Sequence, residues 1–321
     1  MTTVIPEEVT AFLHDWLGQD WRAAPLYGDA SARSYFRIAG AGDQRYMVAW
    51  YPPEVRPDLE RFLRSYQAIT GRARVPEVLR SGASSVAQVD VGDETLYEIL
   101  HRQPQRGAAL YRDAIDLLVA FQRSDPEAQA INPPFDREKF MDELLMTEEY
   151  YVTALMGSRD HVAERRKMYE ELCDIITHHP YILCHRDYHG QNIHVVNDVL
   201  YMIDYQDLRM GPDTYDMASL LRDRGVARLL GTEAELELLR YYGSQACPAE
   251  SNEDLLRRYR QTLLQRSLKI LGTFASQALL RDRKHYLDFI PPTLESIRFC
   301  VDGLPRFATL PDIFPMRFQL G

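Results

Sequence analysis

Apolar residues recur at helical spacing over residues 5–18, predicting a short amphipathic helix. From Pro25 to Tyr51 the pattern becomes that of strands: a turn at Gly28-Asp29, then Ser34–Ile38 and Arg45–Tyr51, closed by Pro52 and Pro53. Leu59, Phe62, Leu63, Tyr66 and Ile69 return to helical spacing between Pro57 and Thr70. Val86–Val91 and Thr95–Leu100 flank Gly92-Asp93 and predict a hairpin. After Leu100 the character changes. A loop over His101–Gly107 is expected, then helices over Ala109–Gln122, Arg137–Met156 and Val162–His178, and a strand over Tyr181–Cys184. Asn192–Val196 and Val199–Asp204, joined through Asn197-Asp198, form a second hairpin. The rest is mainly helical from Ser219 to about Phe307, with an extended surface tail.

This order makes an α+β protein, with a β-rich unit over residues 1–100 and a larger, mostly helical one over 101–321. A chain of 321 residues is long enough for two packed units with a ligand cleft between them. Composition narrows the classes. With 45% hydrophobic and 26% charged residues and no apolar run of membrane-spanning length, no membrane association is expected. The N-terminus lacks the basic and apolar regions of a signal peptide, so the expected location is the cytoplasm. Four scattered cysteines without a CxxC pair read as buried thiols. A net charge of -10 argues against a nucleic-acid surface, since neutralising phosphates takes concentrated Lys and Arg. No obligate protein partner is evident; the expected partner is a small molecule.

The chemistry concentrates in Cys184-His185-Arg186-Asp187-Tyr188-His189-Gly190-Gln191-Asn192, with Ile203-Asp204-Tyr205 twelve residues on. Phosphoryl transfer needs a carboxylate beside the attacking hydroxyl and oxygen ligands for Mg2+. Kinase catalytic loops supply an Asp, an Asn five positions later, and a second Asp just past a hairpin. Asp187, Asn192 and Asp204 have that spacing, and the expected hairpin lies between the last two.

On these residues, and on Ile203–Asp207 with Gly211–Asp216, the chain resembles the aminoglycoside and choline kinase-like phosphotransferases over roughly residues 20–305. The resemblance implies a protein-kinase-like two-lobed fold and ATP with Mg2+ as cofactors. It makes Asp187 the catalytic base, Asn192 and Asp204 the metal ligands, Asp216 a buried brace for the catalytic loop, and His185 structural. His189 is either a loop-stabilising residue or a substrate contact; His178 and His179 receive no role. On the nucleotide side, Gly28–Ser34 occupies the place of the phosphate-covering loop, making Ser31 and Arg33 candidates. Thr95–Leu100 stands at the hinge, where backbone groups near Glu98 and Leu100 would meet adenine.

One departure stands out. The third strand, Tyr46–Tyr51, carries no Lys to pair with phosphate. Arg37 or Arg33 is expected to supply that charge, with Glu60 as a possible orienting partner. Within the family, Gly28–Arg37, Tyr51-Pro52-Pro53, His185–His189 and Tyr215–Asp223 look most like the bacterial anomeric kinases of N-acetylmuramate and N-acetylglucosamine in cell-wall recycling. Those enzymes also lack that Lys. The implied reaction is transfer to the C1 hydroxyl of the amino sugar. The alternatives are a kinase for an aminoglycoside, choline or homoserine, or a non-catalytic nucleotide sensor. Glu143 is the candidate sugar contact, in a segment that also holds Glu148 and Glu149. An acidic pocket there would favour a cationic antibiotic, whereas Arg209 or Arg222 could meet a lactyl carboxylate.

Overall fold

The computed structural model describes residues 5–26, 32–42, 44–124 and 130–318. The first unit is a five-stranded antiparallel sheet in the order β1 (Arg22–Leu26), β2 (Ser34–Ala39), β3 (Arg45–Trp50), β5 (Ser85–Val89), β4 (Val78–Ser81). Alternation decides its faces. Phe36, Ile38, Val48 and Ala87 pack on Val9 and Leu13 of helix α1 (Glu7–Leu17). Tyr35, Arg37 and Ala49 therefore project from the opposite face. Helix α2 (Pro57–Ile69) buries Leu59, Phe62, Ala68 and Ile69 in the main core, as its spacing predicts.

Two expectations around residue 100 are overturned. Thr95–Leu100 is not a strand: helix α3 covers Leu96–Arg102. Thr95 Oγ1 accepts from the Glu98 N–H at 3.2 Å while Glu98 Oε2 accepts from the Thr95 N–H at 3.3 Å, a capping box that fixes a helix start. Gly92-Asp93 does turn the chain, with Gly92 at φ 70°, but it joins β5 to that helix rather than to a sixth strand. The true partner of β5 is β4, which offers no hydrophobic alternation because three of its four residues are exposed. The expected loop His101–Gly107 is also mostly helical, since α4 (Pro104–Gln122) begins with proline at its first position.

Beyond this point helices enclose the catalytic strands. Helix α5 (Arg137–Met146) continues as a π-helix over Thr147–Leu155, followed by α6 (Val162–Ile176). Strand β6 (Tyr181–Cys184) pairs with β9 (Arg209–Pro212), and β7 (Ile193–Val196) with β8 (Val199–Met202). The β7–β8 turn uses Asn197 and Asp198 at φ 51° and 61°, as a two-residue hairpin requires. Then come α7 (Tyr215–Arg222), α8 (Val226–Leu230), α9 (Thr232–Ala246), the central 30-residue α10 (Asn252–Arg281), α11 (Ile290–Asp302) and α12 (Leu310–Ile313). The tail is less superficial than expected: Phe314 is buried and stacks on Tyr151, whose hydroxyl donates to Pro315 O at 2.8 Å. All four cysteines are free thiols; Cys247 is only half-buried. No described helix is long and apolar enough to cross a membrane.

Candidate active site

The loop after β6 carries the predicted chemistry, and buried Asp216 on α7 holds it in place. Its carboxylate accepts the backbone N–H groups of His185 at 2.7 Å and Arg186 at 2.9 Å. Burial pushes this carboxyl up, and these N–H bonds oppose that shift by stabilising its charged form. Arg186 is thereby fixed at φ 79°, a conformation that is unfavourable for a residue with a Cβ unless its surroundings enforce it. His185 links the loop to the hairpin through Nε2 and Ile203 O at 2.9 Å. Both residues take the bracing places that the resemblance implies.

Asp187 follows, with 46% of its side chain exposed. Partial desolvation of its carboxyl pushes it up, but Lys269, Arg266, His189 and Arg186 outweigh that and hold it below the ordinary carboxylate range. The Asn192 side-chain N–H donates to Asp187 O at 3.0 Å, which turns the amide oxygen away from this bond. Backbone pairing of Ile203 N with Asn192 O at 3.0 Å brings Asp204 beside the loop. Asp204 adopts φ 62° and receives the Gln206 side-chain N–H at 2.8 Å. An Asn and an Asp that retain oxygen lone pairs suit Mg2+, which takes few protein ligands and shares the rest with phosphates and water.

The two arginines expected to replace the missing third-strand charge lie in different places. Arg33, with 14% of its side chain exposed, reaches Asp204 at 3.3 Å and lies 5.7 Å from the ring centres of both Tyr35 and Tyr51. Arg37 goes elsewhere, to Asp90 at 2.6 Å and Asp93 at 2.7 Å on the β5–α3 connection. Glu60 is exposed and is not the carboxylate that Arg37 uses. Of the other nucleotide-side candidates, Ser31 lies outside the described residues. Glu98 and Leu100 sit inside α3: the Glu98 N–H is taken by the cap and Leu100 is fully buried. The connection over residues 90–94 precedes this helix, and there the Gly92 N–H donates to Asp90 Oδ1 at 3.0 Å, Gly92 O pairs with His194 Nδ1 at 2.8 Å and Glu94 O accepts from Val195 N at 2.9 Å.

His189 is buried, and its Nε2 accepts from Arg224 Nη1 at 3.1 Å. Burial pushes its pKa down to about 4, so the ring is neutral at pH 7. Gly190 next to it admits no side chain, since a Cβ there would lie 2.9 Å from the Tyr97 backbone nitrogen of α3. Glu143 on α5 is buried and accepts from Gln265 Nε2 at 3.1 Å. Glu148, by contrast, is taken by the fully buried Arg165 at 2.5 Å.

Two groups beside Asp187 escaped the sequence reading. Arg266 of α10, 3% exposed, lies 3.9 Å from Asp187 and is held by Arg186 O, the Tyr215 hydroxyl, Ser219 Oγ and Asp223. Lys269, one turn on, feels Tyr215, Glu143 and Asp187 as its main neighbouring charges and acceptors. Arg266 stands among Leu263, Leu264, Leu268 and Leu271, and a cation within such a buried run is the signal that could have found it.

Known proteins resemble this chain in sequence and fold. The profile of the phosphotransferase enzyme family matches residues 22–260. An N-acetylmuramate/N-acetylglucosamine kinase from Pseudomonas aeruginosa is 27% identical over 300 residues, covering 90% of this chain and 86% of that protein. The protein of the same name from Neisseria meningitidis is 27% identical over 305 residues, covering 91% and 88%. Among solved structures, the gentamicin complex of APH(2")-IIa superposes with a TM-score of 0.65 at 16% identity, over 93% of this chain and 99% of that one. A choline/ethanolamine kinase family protein from Mesorhizobium loti gives 0.63 at 14% identity, over 94% and 96%. The structural matches show the two-lobed kinase-like fold. With three-quarters of its length matched by the family profile and the catalytic loop in place, this chain belongs to the phosphotransferase enzyme family.

Proposed function

We propose that the protein is an ATP-dependent kinase acting on the anomeric C1 hydroxyl of an amino sugar, N-acetylmuramate or N-acetylglucosamine, as in peptidoglycan recycling. The observation that carries this reading is Asp187: ionised, accessible, and backed by Arg266 and Lys269. In the proposed step the C1 oxygen attacks the γ-phosphorus, the bond to the β–γ bridging oxygen breaks, and ADP leaves. Asp187 accepts the hydrogen bond of the hydroxyl and takes its proton as the new ester forms, then releases it to water. A carboxylate held this acidic is a weak base. It suffices because the transition state is loose and the proton moves late, and because an anomeric hydroxyl is more acidic than other ring hydroxyls. Asn192 and Asp204 would hold Mg2+, which when bound neutralises charge on the phosphates. Arg33 is assigned the phosphate-facing role of the absent Lys, and residues 90–94 the adenine-facing hinge. The division into lobes at residue 100 is accordingly taken a few residues earlier, at this hinge.

The acceptor pocket favours an amino sugar over a polycationic antibiotic. Glu148 is spent on Arg165, and Glu143 shares its surroundings with Gln265 and Lys269, so the stretch from α5 into the π-helix is less acidic than its sequence suggests. The three curated relatives of that name support the same choice. An ADP-release assay with N-acetylmuramate, N-acetylglucosamine, choline and kanamycin tests it. Turnover of either acetylated sugar is expected, and turnover confined to choline or kanamycin would overturn the assignment. Asp187→Asn should lower kcat by about 10^2 to 10^4 while ATP still binds. A nucleotide sensor would lose nothing.

A further inference from the structure

Two guanidinium groups stand together beside the catalytic loop, and among the described residues one loosely placed carboxylate forms an ion pair with either of them. The β6–β9 register pairs Cys184 with Arg209, and Arg186 lies two residues beyond Cys184. Both guanidinium carbons lie over one ring, that of Phe135, at 5.6 Å for Arg186 and 5.2 Å for Arg209. Arg186 has one ion-pair partner among the described residues, Asp207 at a loose 4.0 Å. Arg209 has none within 4.0 Å among the described residues. The Nε of each arginine is buried without a hydrogen-bond partner. Two adjacent cations over one ring repel each other, and an anion bound between them would relieve that repulsion. Burial and the neighbouring Arg186 push the Arg209 pKa down, whereas for Arg186 burial is outweighed by Tyr215, Asp187, Asp207 and Glu143, which push it up.

The pair belongs to the pocket of the catalytic carboxylate. Arg186 directly precedes Asp187, and Glu143 and Asp207 are the acidic groups that both arginines face. Arg222, the other cation that could have met a substrate carboxylate, is excluded. It is closed off by buried Glu235 at 2.5 Å and stacked on Phe299 at 3.8 Å. Forked guanidinium donors match a carboxylate in two-pronged fashion.

We propose that Arg186 and Arg209 form a carboxylate subsite of the acceptor pocket, which binds the lactyl carboxylate that N-acetylmuramate has and N-acetylglucosamine lacks. This rests on the amino-sugar reading above. The two sugars then share Asp187 and differ in this contact alone.

The test is the ratio of kcat/KM for N-acetylmuramate to that for N-acetylglucosamine, measured in the same preparation. In Arg209→Gln the ratio should fall by about thirtyfold or more, the value of a charge-assisted contact. Should that variant not fold, Arg209→Lys keeps the charge but loses the fork, and a smaller fall in the same ratio is expected. An unchanged ratio overturns the proposal. So does a raised KM for ATP with the ratio unchanged, which would make the pair a phosphate clamp. If the wild-type protein phosphorylates neither sugar, the amino-sugar reading has failed and a calorimetric titration with D-lactate judges the subsite separately. Saturable binding that is lost in Arg209→Gln and kept in the exposed control Arg257→Gln supports it; absent binding, or equal binding in both variants, overturns it.

Discussion

A triphosphate brings its negative charge into any kinase cleft, and a third strand without an ammonium leaves that charge to be met from another element. Arg33 is suited to the task because it already faces Asp204 across 171 positions of sequence, packed between two tyrosine rings. Arg37 spends its fork on Asp90 and Asp93, and so ties the sheet to the β5–α3 connection. The two variants should therefore separate. Arg33→Met is expected to lower kcat/KM for ATP by about a hundredfold, the scale of losing a charged transition-state contact. Arg37→Met should act mainly on stability. Initial-rate kinetics with varied ATP check this, and a larger ATP defect in Arg37→Met would reverse the two roles. At this scale the sequence was informative where chemistry is local. Asp187, Asn192 and Asp204 sit within one loop and one hairpin, so their spacing alone carries the signal. Arg266 reaches the same site from 80 positions away, and no local pattern ties it to Asp187.

Elements were legible where periodicity and punctuation agreed. Helix α2 and the β7–β8 hairpin fall where their patterns place them. Helix α3 is the instructive failure, because Thr95–Leu100 is apolar enough for a strand and follows a Gly-Asp turn. The spacing of Thr95 and Glu98 is a competing signal for a helix start, and it prevails because both side chains satisfy backbone N–H groups that would otherwise be orphaned. Thr95→Ala should therefore cost about 1 kcal/mol in urea unfolding. No loss would mean that packing on α4 alone holds the helix. The same helix limits the catalytic loop through Gly190. In Gly190→Ala the new methyl would need Tyr97 or the loop to shift. Turnover should drop at least about tenfold with the secondary structure retained, in line with a misplacement near reacting groups. Normal turnover with an unchanged circular dichroism spectrum would show that the contact relaxes freely.

Across the whole molecule, stability is linked to pH through histidines that folding keeps neutral. Burial holds His189 at a pKa of about 4, against roughly 6.5 when the chain is unfolded, and burial pulls His179 down as well. Between those two values the unfolded chain binds protons that the folded one refuses. Folding stability is thus fully present above about pH 6.5 and drains away as the pH falls towards 4. The His189 share comes to about 3 kcal/mol by the bottom of that window, a large fraction of the net stability of an ordinary domain. Two acidic side chains near the catalytic loop with depressed values, Asp187 and Asp223, act lower, since their contribution is lost only below the ordinary carboxylate range. The two effects are therefore separable by pH. His189→Gln keeps an acceptor for Arg224 and removes the titrating ring, so its unfolding free energy should be flatter than that of the wild type between pH 6.5 and 4.5. Urea unfolding at half-unit pH intervals measures this. Identical slopes in the two proteins would mean that the His189 ring gains its proton in the folded state as easily as in the unfolded chain, and that Arg224 yields to let it.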